Sequence, residues 1–194
     1  MVLKHLDYNS VDIKKVARFS VAPMMDWTDR HCRYFHRKFT KKSLLYTEMV
    51  ASAALVKGKA FHLLDFSNEE HPVALQLGGS DPSQLSEAAS IGEEYGYDEI
   101  NLNVGCPSDR VQSGDFGAVL MKNPKLVAKC CEAMNKTTSV DITVKCRIGV
   151  DDQNPYQILP EFLKYLWDAG VTRVIIHARK AILKGLSPKE NRDV

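Results

Sequence analysis

Cys106 is a candidate for acid–base chemistry, because it lies between Gly105 and Pro107 at the point where an apolar run ends. The glycine and the proline indicate a sharp, fixed loop. A free cysteine thiol has an ordinary pKa of about 8.5, so it is mostly protonated at neutral pH and can give up its proton. The alternative is a buried structural thiol, which is our interpretation of Cys32, Cys130, Cys131 and Cys146.

Polar side chains recur on one face of several other apolar runs. Side chains alternate along a strand, so every second residue shares a face. The polar members of these faces are Gln76, Asn101, Asn103, Thr143, Lys145, Arg147, His177 and Arg179. Their alternates are mostly apolar and suit packing under helices, so the polar groups are expected to converge near the carboxyl ends of several strands.

Six short apolar runs, at residues 19–24, 44–49, 73–77, 100–104, 142–148 and 174–177, predict the strands. Helical signals lie between them. Residues 81–84 give an N-cap followed by a proline at the first helical position, residues 123–124 open another helix with Asn-Pro, and residues 28–39 carry apolar side chains at helical spacing. A further helix runs up to Gly170, with Pro160 either in its first turn or breaking it.

Alternation of strands and helices favours an α/β fold with a parallel sheet, either doubly wound or closed into a barrel. The convergent polar groups favour the barrel, as does the first strand end, residues 22–26, which lacks a glycine-rich loop. A complete barrel has eight strands and typically about 250 residues. We therefore predict a TIM (β/α)8 barrel truncated after about six βα units, with 1–17 as an N-terminal extension and 18–194 as the partial barrel.

Composition narrows the class of protein. The chain has 44% hydrophobic residues, no apolar run long enough for a bilayer and no apolar core of a secretory signal at its start, so a soluble, cytoplasmic protein is expected. Its five cysteines show no Cys-x-x-Cys spacing, which predicts reduced thiols and no metal site. A net charge of +2 does not by itself indicate a polyanionic partner.

Five stretches of the sequence, residues 22–26, 76–79, 101–107, 144–149 and 176–179, resemble the tRNA-dihydrouridine synthases in order and content. Residues 177–180 followed by 184–192 look most like the DusA subgroup. The resemblance covers nearly the whole chain from Arg18 onward. The Asn-x-Gly-Cys-Pro sequence together with the strands that carry the lysine and the histidine is a combination specific to this family, whereas any one of these motifs alone would be weak evidence.

The resemblance implies an FMN enzyme on a TIM barrel. Such an enzyme reduces the C5–C6 bond of a uridine in the D-loop of tRNA to give 5,6-dihydrouridine, and NADPH reloads the flavin. Conjugate reduction needs a hydride on one carbon and a proton on its neighbour, the first from the flavin and the second from a positioned acid. The resemblance assigns the acid to Cys106.

The resemblance also implies the binding residues. The cofactor-binding positions are Pro23, Met24, Met25, Gln76, Lys145 and His177, and the RNA-binding positions are Asn103, Lys189 and Arg192. Lys145 would lie against the isoalloxazine ring, where the negative charge of a reduced flavin compensates its ammonium. His177 would face the ribityl-phosphate side. Gln76 would bond the ring edge, beside Gly78 and Gly79, which we expect to leave room for a planar ligand. Pro23, Met24 and Met25, at the end of the first strand, would contact the flavin mainly through their backbone and by packing.

Two alternatives remain open. One is an FMN barrel that reduces a free pyrimidine, which the Asn-x-Gly-Cys-Pro sequence and the basic tail disfavour. The other is an inactive or RNA-binding fragment, because the seventh and eighth strands of such barrels commonly build the phosphate site, and the family's C-terminal helical tRNA-binding domain is absent as well. A barrel open at two strands leaves unpaired edges. We therefore expect the 194-residue chain to bind FMN weakly or not at all. The sequence leaves the oligomeric state open.

Overall fold

The apolar runs form one parallel sheet in the computed structural model, which describes residues 18–108, 111, 114–187 and 189–193. Within these residues the six strands are β1 (Ser20–Val21), β2 (Leu44–Ala51), β3 (Val73–Gly78), β4 (Glu99–Val104), β5 (Asp141–Arg147) and β6 (Val174–His177). Each strand pairs in parallel with its successor, so the spatial order follows the chain order. This is the strand order of a TIM barrel, as predicted. The extension at 1–17 lies outside the described residues.

Helices connect the strands. They are α1 (Arg30–Phe39), α2 (Ser52–Val56), α3 (Pro82–Glu94), α4 (Pro124–Asn135) and α5 (Pro155–Asp168), with shorter 3-10 turns at Phe61–Leu64, Asn68–Glu70, Gly117–Lys122 and Glu190–Arg192. The side chain of Asp81 caps α3 by accepting from the Gln84 N–H, and that of Asn123 caps α4 in the same way. Both helix starts are therefore where the sequence predicted them, because a short polar cap followed by proline satisfies the first free N–H groups.

The prediction for Pro160 was wrong, since it lies inside α5, beyond the first turn, and does not break the helix. Asn154 caps the helix with its side chain, and Pro155 follows at the first helical position. The helix therefore begins a turn earlier than expected. Burial of Phe162 and Leu166 on one face holds the helix against the core despite the N–H that proline lacks.

The main hydrophobic core lies between the sheet and α3, α4 and α5. Helix α1 packs differently, because the residues that it buries are Arg33 and Arg37. Arg33 pairs with the buried Glu70 at 2.7 Å, and Arg37 donates to several backbone carbonyls. The helix is confirmed, but its apolar stripe points outward: Phe35 is 60% exposed and Phe39 is 74% exposed.

The sheet is open in the described residues, because β1 pairs with β2 alone and β6 with β5 alone. Phe19, beside β1, is largely exposed, and so is Trp167 near the end of α5. The open edges agree with the predicted truncation. Among the described helices, none combines the length and the apolar character that crossing a bilayer requires.

Candidate active site at the carboxyl ends of the strands

The predicted polar residues meet at one end of the sheet. In the strand register Gln76 lies opposite Asn101, Asn103 opposite Lys145, and Arg147 opposite His177. Because parallel strands run in the same direction, their carboxyl ends share one edge, where TIM barrels place their sites. The structure thus brings Gln76, Asn103, Lys145 and His177 together, with the Cys106 loop directly after β4.

Hydrogen bonds fix the Cys106 loop from two sides. The side-chain oxygen of Asn103 accepts from the backbone N–H groups of Gly105 and Cys106, each at 3.0 Å. The carbonyl of Cys106 accepts from the Ala118 N–H at 2.8 Å. The thiol is half-buried and points its Sγ to the Ser108 Oγ at 3.6 Å. The loop is fixed, as the flanking glycine and proline indicated.

Gly117 is required beneath this loop for two reasons. Its φ of +77° lies in the left-handed region, which favours glycine. A Cβ at this position would also lie 2.6 Å from the Cys106 carbonyl oxygen and 2.5 Å from a methyl group of Val111. The sequence analysis missed Gly117, because this close approach comes from tertiary packing.

The amides of Gln76 and Asn103 bond to each other rather than standing free. Asn103 Nδ2 donates to Gln76 Oε1 at 2.8 Å, and Gln76 Nε2 donates to Asn101 Oδ1 at 2.8 Å. Gln76 is 1% exposed and Asn103 is 8% exposed. Each amide therefore has few hydrogen-bonding groups left for an outside partner. Asn103 keeps one free N–H of its side-chain amide.

Positive charge collects beside the cysteine loop. Burial and the neighbouring Arg147 charge lower the pKa of Lys145. Burial likewise lowers the pKa of His177, and the charges of Arg147, Lys145 and Arg179 lower it further. In the described residues no carboxylate lies within salt-bridge distance of these groups. The cluster is therefore suited to an anion, such as a phosphate or a reduced flavin.

Arg147 connects the cysteine loop to the end of the described chain. Its Nε donates to the Gly105 carbonyl at 3.1 Å, and its NH1 group donates to the carbonyls of Lys180 at 3.0 Å and Asn191 at 2.8 Å. The candidate RNA-binding residues Lys189 and Arg192 are exposed on the turn that contains Asn191. Sequence analysis placed Arg147 on the correct face but assigned it no contact, because its three acceptors are backbone carbonyls from distant segments.

The first-strand candidates lie beside the same edge. Pro23 is half-buried, whereas Met24 and Met25 expose much of their side chains. Thr28 occupies both backbone groups of Met24: the Met24 N–H donates to Thr28 Oγ1 at 3.0 Å, and the Met24 carbonyl accepts from the Thr28 N–H at 2.9 Å. The expected backbone contact is therefore not available from Met24, which can offer its exposed thioether chain instead.

The expectation that Gly78 and Gly79 leave room for a planar ligand was wrong. A Cβ on Gly78 would lie 2.8 Å from both the Met49 sulfur and the Phe116 ring. A Cβ on Gly79 would lie 2.4 Å from the Ser52 hydroxyl. Side chains of the protein fill the space beside both glycines, so these glycines serve close packing.

The other cysteines differ from Cys106 in their surroundings. Burial raises the pKa of Cys130 and of Cys146 to about 12 in each case, and Cys131 is also buried. These three are structural thiols, as predicted. Cys32 is only half-buried, with its sulfur 3.5 Å from His36 Nδ1 on α1. Within the described residues no group of histidine, cysteine and carboxylate side chains is arranged to hold a metal ion.

Comparison with known proteins gives a consistent set of relatives. A family model described as "Dihydrouridine synthase (Dus)" matches residues 20–194. The tRNA-dihydrouridine(20/20a) synthase of Pasteurella multocida is 60% identical over 177 residues, which make up 91% of this chain and 54% of that protein. The protein of the same name from Escherichia coli is 59% identical over 184 residues, covering 94% of this chain and 53% of the relative. The chain thus spans about half the length of the curated relatives that it matches.

Proposed function

Because the chain belongs to the dihydrouridine synthase family, we propose that its strand-end site reduces a uridine of tRNA to 5,6-dihydrouridine. The observation that carries this proposal is the half-exposed Cys106 thiol, held in a fixed loop beside a cluster of uncompensated positive charges. The names of the relatives support tRNA as the substrate over a free pyrimidine. We assign the activity to the full-length parent, meaning a protein of the relatives' length that contains this sequence.

The residues present fit FMN as the cofactor. Lys145 supplies a positive charge for a reduced ring, and the imidazole of His177 beside it can hydrogen-bond a phosphate. The Gln76 amide already bonds to Asn101 and Asn103 and keeps one N–H for the edge of the ring. When bound, FMN supplies the hydride for one carbon of the C5–C6 double bond, and NADPH restores it. Pro23, Met24 and Met25 would cover one side of the site with their apolar surface.

Cys106 supplies the proton. The S–H bond breaks as a C–H bond forms on the carbon next to the one that receives the hydride, and a thiolate remains. The positive charges of Lys145 and Arg147 lie close enough to Cys106 to interact favourably with the negative charge that this step creates. Because the sulfur is half-exposed, it can regain a proton from water before the next turnover.

The RNA must present its base outside the stacked helix to reach this edge. We propose that the exposed Lys189 and Arg192 contact phosphates of the tRNA, since phosphate contacts position a nucleic acid. Asn103 has one side-chain N–H left for the target base. The uridines at positions 20 and 20a, which the relatives' names specify, are the expected targets within the D-loop. A tRNA substrate supports the expected cytoplasmic location.

The open sheet supports a second statement about the 194-residue chain on its own. Since β1 and β6 each have one unpaired edge in the described residues, we propose that this polypeptide binds FMN weakly or not at all. The test is its absorbance after purification with excess FMN. A colourless protein is expected, and a yellow protein with stoichiometric flavin would refute this statement.

The reaction itself is tested with tRNA that lacks dihydrouridine. The full-length parent, FMN and NADPH are incubated with this tRNA, and dihydrouridine is measured by mass spectrometry of its nucleosides. We expect dihydrouridine in the D-loop fragment. Reduction of free uracil or orotate without any change in the tRNA would overturn the proposed substrate.

A further inference from the structure

A chain of buried hydrogen bonds runs along the inside of the sheet and ends on the Cys106 loop. Asn103 connects the loop to Gln76, and Gln76 connects to Asn101. Asn101 Nδ2 then donates to Thr143 Oγ1 at 2.9 Å, and the Thr143 hydroxyl donates to the carboxylate of Glu99. We call these five side chains the amide relay; its members are Glu99, Thr143, Asn101, Gln76 and Asn103.

Both ends of the amide relay have a fixed polarity. At the loop end, the backbone N–H groups of Gly105 and Cys106 can only donate, so Asn103 must turn its oxygen toward them. At the other end, the carboxylate of Glu99 accepts from the hydroxyl of Tyr46 at 2.9 Å and from the guanidinium of Arg173, as well as from Thr143. Each amide between the two ends consequently has one orientation that satisfies its neighbours.

Asn101 and Thr143 cannot themselves contact a substrate. Asn101 is 0% exposed and Thr143 is 1% exposed, and their polar atoms bond to each other and to the relay. Barrel interiors are usually filled by bulky apolar side chains, which would avoid the cost of burying polar groups. Two polar residues in this layer therefore need a reason other than packing.

We propose that Asn101 and Thr143 are positioning residues that set the side-chain orientation of Gln76 and, through Asn103, the position of Cys106. This inference rests on the proposed function for its catalytic consequence. Without an acceptor at position 101, a buried N–H of the Gln76 amide loses its partner, so the side chain must shift toward another acceptor. Such a shift weakens the bond that Gln76 Oε1 accepts from Asn103, and Asn103 then holds the loop N–H groups less firmly.

The principal variant is Asn101→Leu, which keeps the number and branching of the side-chain heavy atoms and removes the acceptor. The matched control is Tyr46→Phe, because Tyr46 is as buried as Thr143 and also donates to Glu99, yet it is not a member of the relay. In the full-length parent, single-turnover reduction of tRNA uridine should fall roughly tenfold to a hundredfold in Asn101→Leu, as expected for a misplaced acid. Tyr46→Phe should keep the parent's rate.

Backbone hydrogen exchange supplies a readout that does not depend on activity. The Gly105 and Cys106 amides should exchange about fivefold faster in Asn101→Leu, the factor expected for one weakened hydrogen bond. Tyr46→Phe should leave the exchange of these two amides unchanged. If the parent reduces no tRNA uridine, the proposed function fails, while the exchange of these amides still tests the relay.

A second pair of variants covers the case in which Asn101→Leu does not fold. Thr143→Val removes the hydroxyl at nearly constant shape, whereas Thr143→Ser retains it. We expect slower uridine reduction and faster exchange of the loop amides in Thr143→Val, with both restored in Thr143→Ser. An active parent whose Asn101→Leu and Thr143→Val variants keep its rate and its loop exchange would overturn the inference.

Discussion

Gly117→Ala should displace the Cys106 loop, although it replaces none of the side chains assigned to the reaction. The new methyl group would lie 2.6 Å from the carbonyl oxygen of Cys106 and 2.5 Å from Val111, both well inside van der Waals contact. The oxygen must retreat by the better part of an ångström, and the cysteine loop moves with it. The left-handed φ of +77° adds backbone strain that any residue other than glycine would carry.

Gly96→Ala separates these two effects. Gly96 has a φ of +92°, but a Cβ there meets nothing within 4 Å, and it follows α3 at the opposite end of the sheet. The φ cost alone is about 1–2 kcal/mol, which both variants should show. Overpacking adds about 1–3 kcal/mol in Gly117→Ala only. A displacement of about 1 Å at the acid should lower turnover roughly a hundredfold in Gly117→Ala.

The measurements are urea unfolding of both variants and tRNA uridine reduction by the full-length parent that carries each substitution. Gly117→Ala should be the less stable variant and the only one with slow chemistry. Equal losses of stability in the two variants, together with parental turnover in Gly117→Ala, would refute the claim that close packing against the Cys106 carbonyl positions the acid.

Two further substitutions, each with a control, test how buried charges affect the stability of the fold. Burial and the neighbouring guanidinium lower the pKa of Lys145, so stability rises with pH between that lowered value and the ordinary lysine pKa of about 10.4. Lys145→Met should therefore raise the unfolding free energy of the ligand-free chain by about 1 kcal/mol, measured in urea at pH 7, and this gain should be lost above pH ~10. The control, Lys129→Met, replaces an exposed lysine and should leave the unfolding free energy unchanged. Equal effects of the two variants would contradict this. Glu70→Ala leaves the buried guanidinium of Arg33 without its carboxylate and should lower the unfolding free energy by about 3–5 kcal/mol. The control, Asp168→Ala, removes the exposed pair with Lys164 on α5 and should lower it by about 0.3–0.5 kcal/mol. Similar losses in Glu70→Ala and Asp168→Ala would show that burial of the first pair is unimportant.

Local signals made most of the fold predictable. Apolar runs with polar alternates marked the strands, and Asp81 and Asn123 marked two helix starts because capping involves residues only a few positions apart. Pro160 misled the prediction of α5, since Asn154 provides an earlier cap that the sequence analysis did not use. The outward apolar stripe of α1 could not be read from spacing, because burial of Arg33 depends on Glu70 in a distant turn.

The sequence predicted which side chains share the inner face of the sheet, but not which groups they contact. Strand alternation placed Asn101 and Asn103 on the inside, and the same alternation would have added Glu99, two positions earlier, had it been extended to the start of β4. The bonds of Arg147 to three carbonyls and the fit of Gly117 under the cysteine loop arise only when remote segments meet. Such contacts leave no periodic signal in the sequence.

The central claim, that Cys106 is the proton donor for uridine reduction, is tested most directly by the dihydrouridine content of tRNA treated with the full-length parent and its Cys106→Ala variant. Cys32→Ala is the matched control, because Cys32 is also half-buried but lies on α1. Loss of a positioned general acid should slow the reaction roughly a hundredfold to ten-thousandfold in Cys106→Ala, with no change in Cys32→Ala. Dihydrouridine formed at the parental rate by Cys106→Ala would contradict the account.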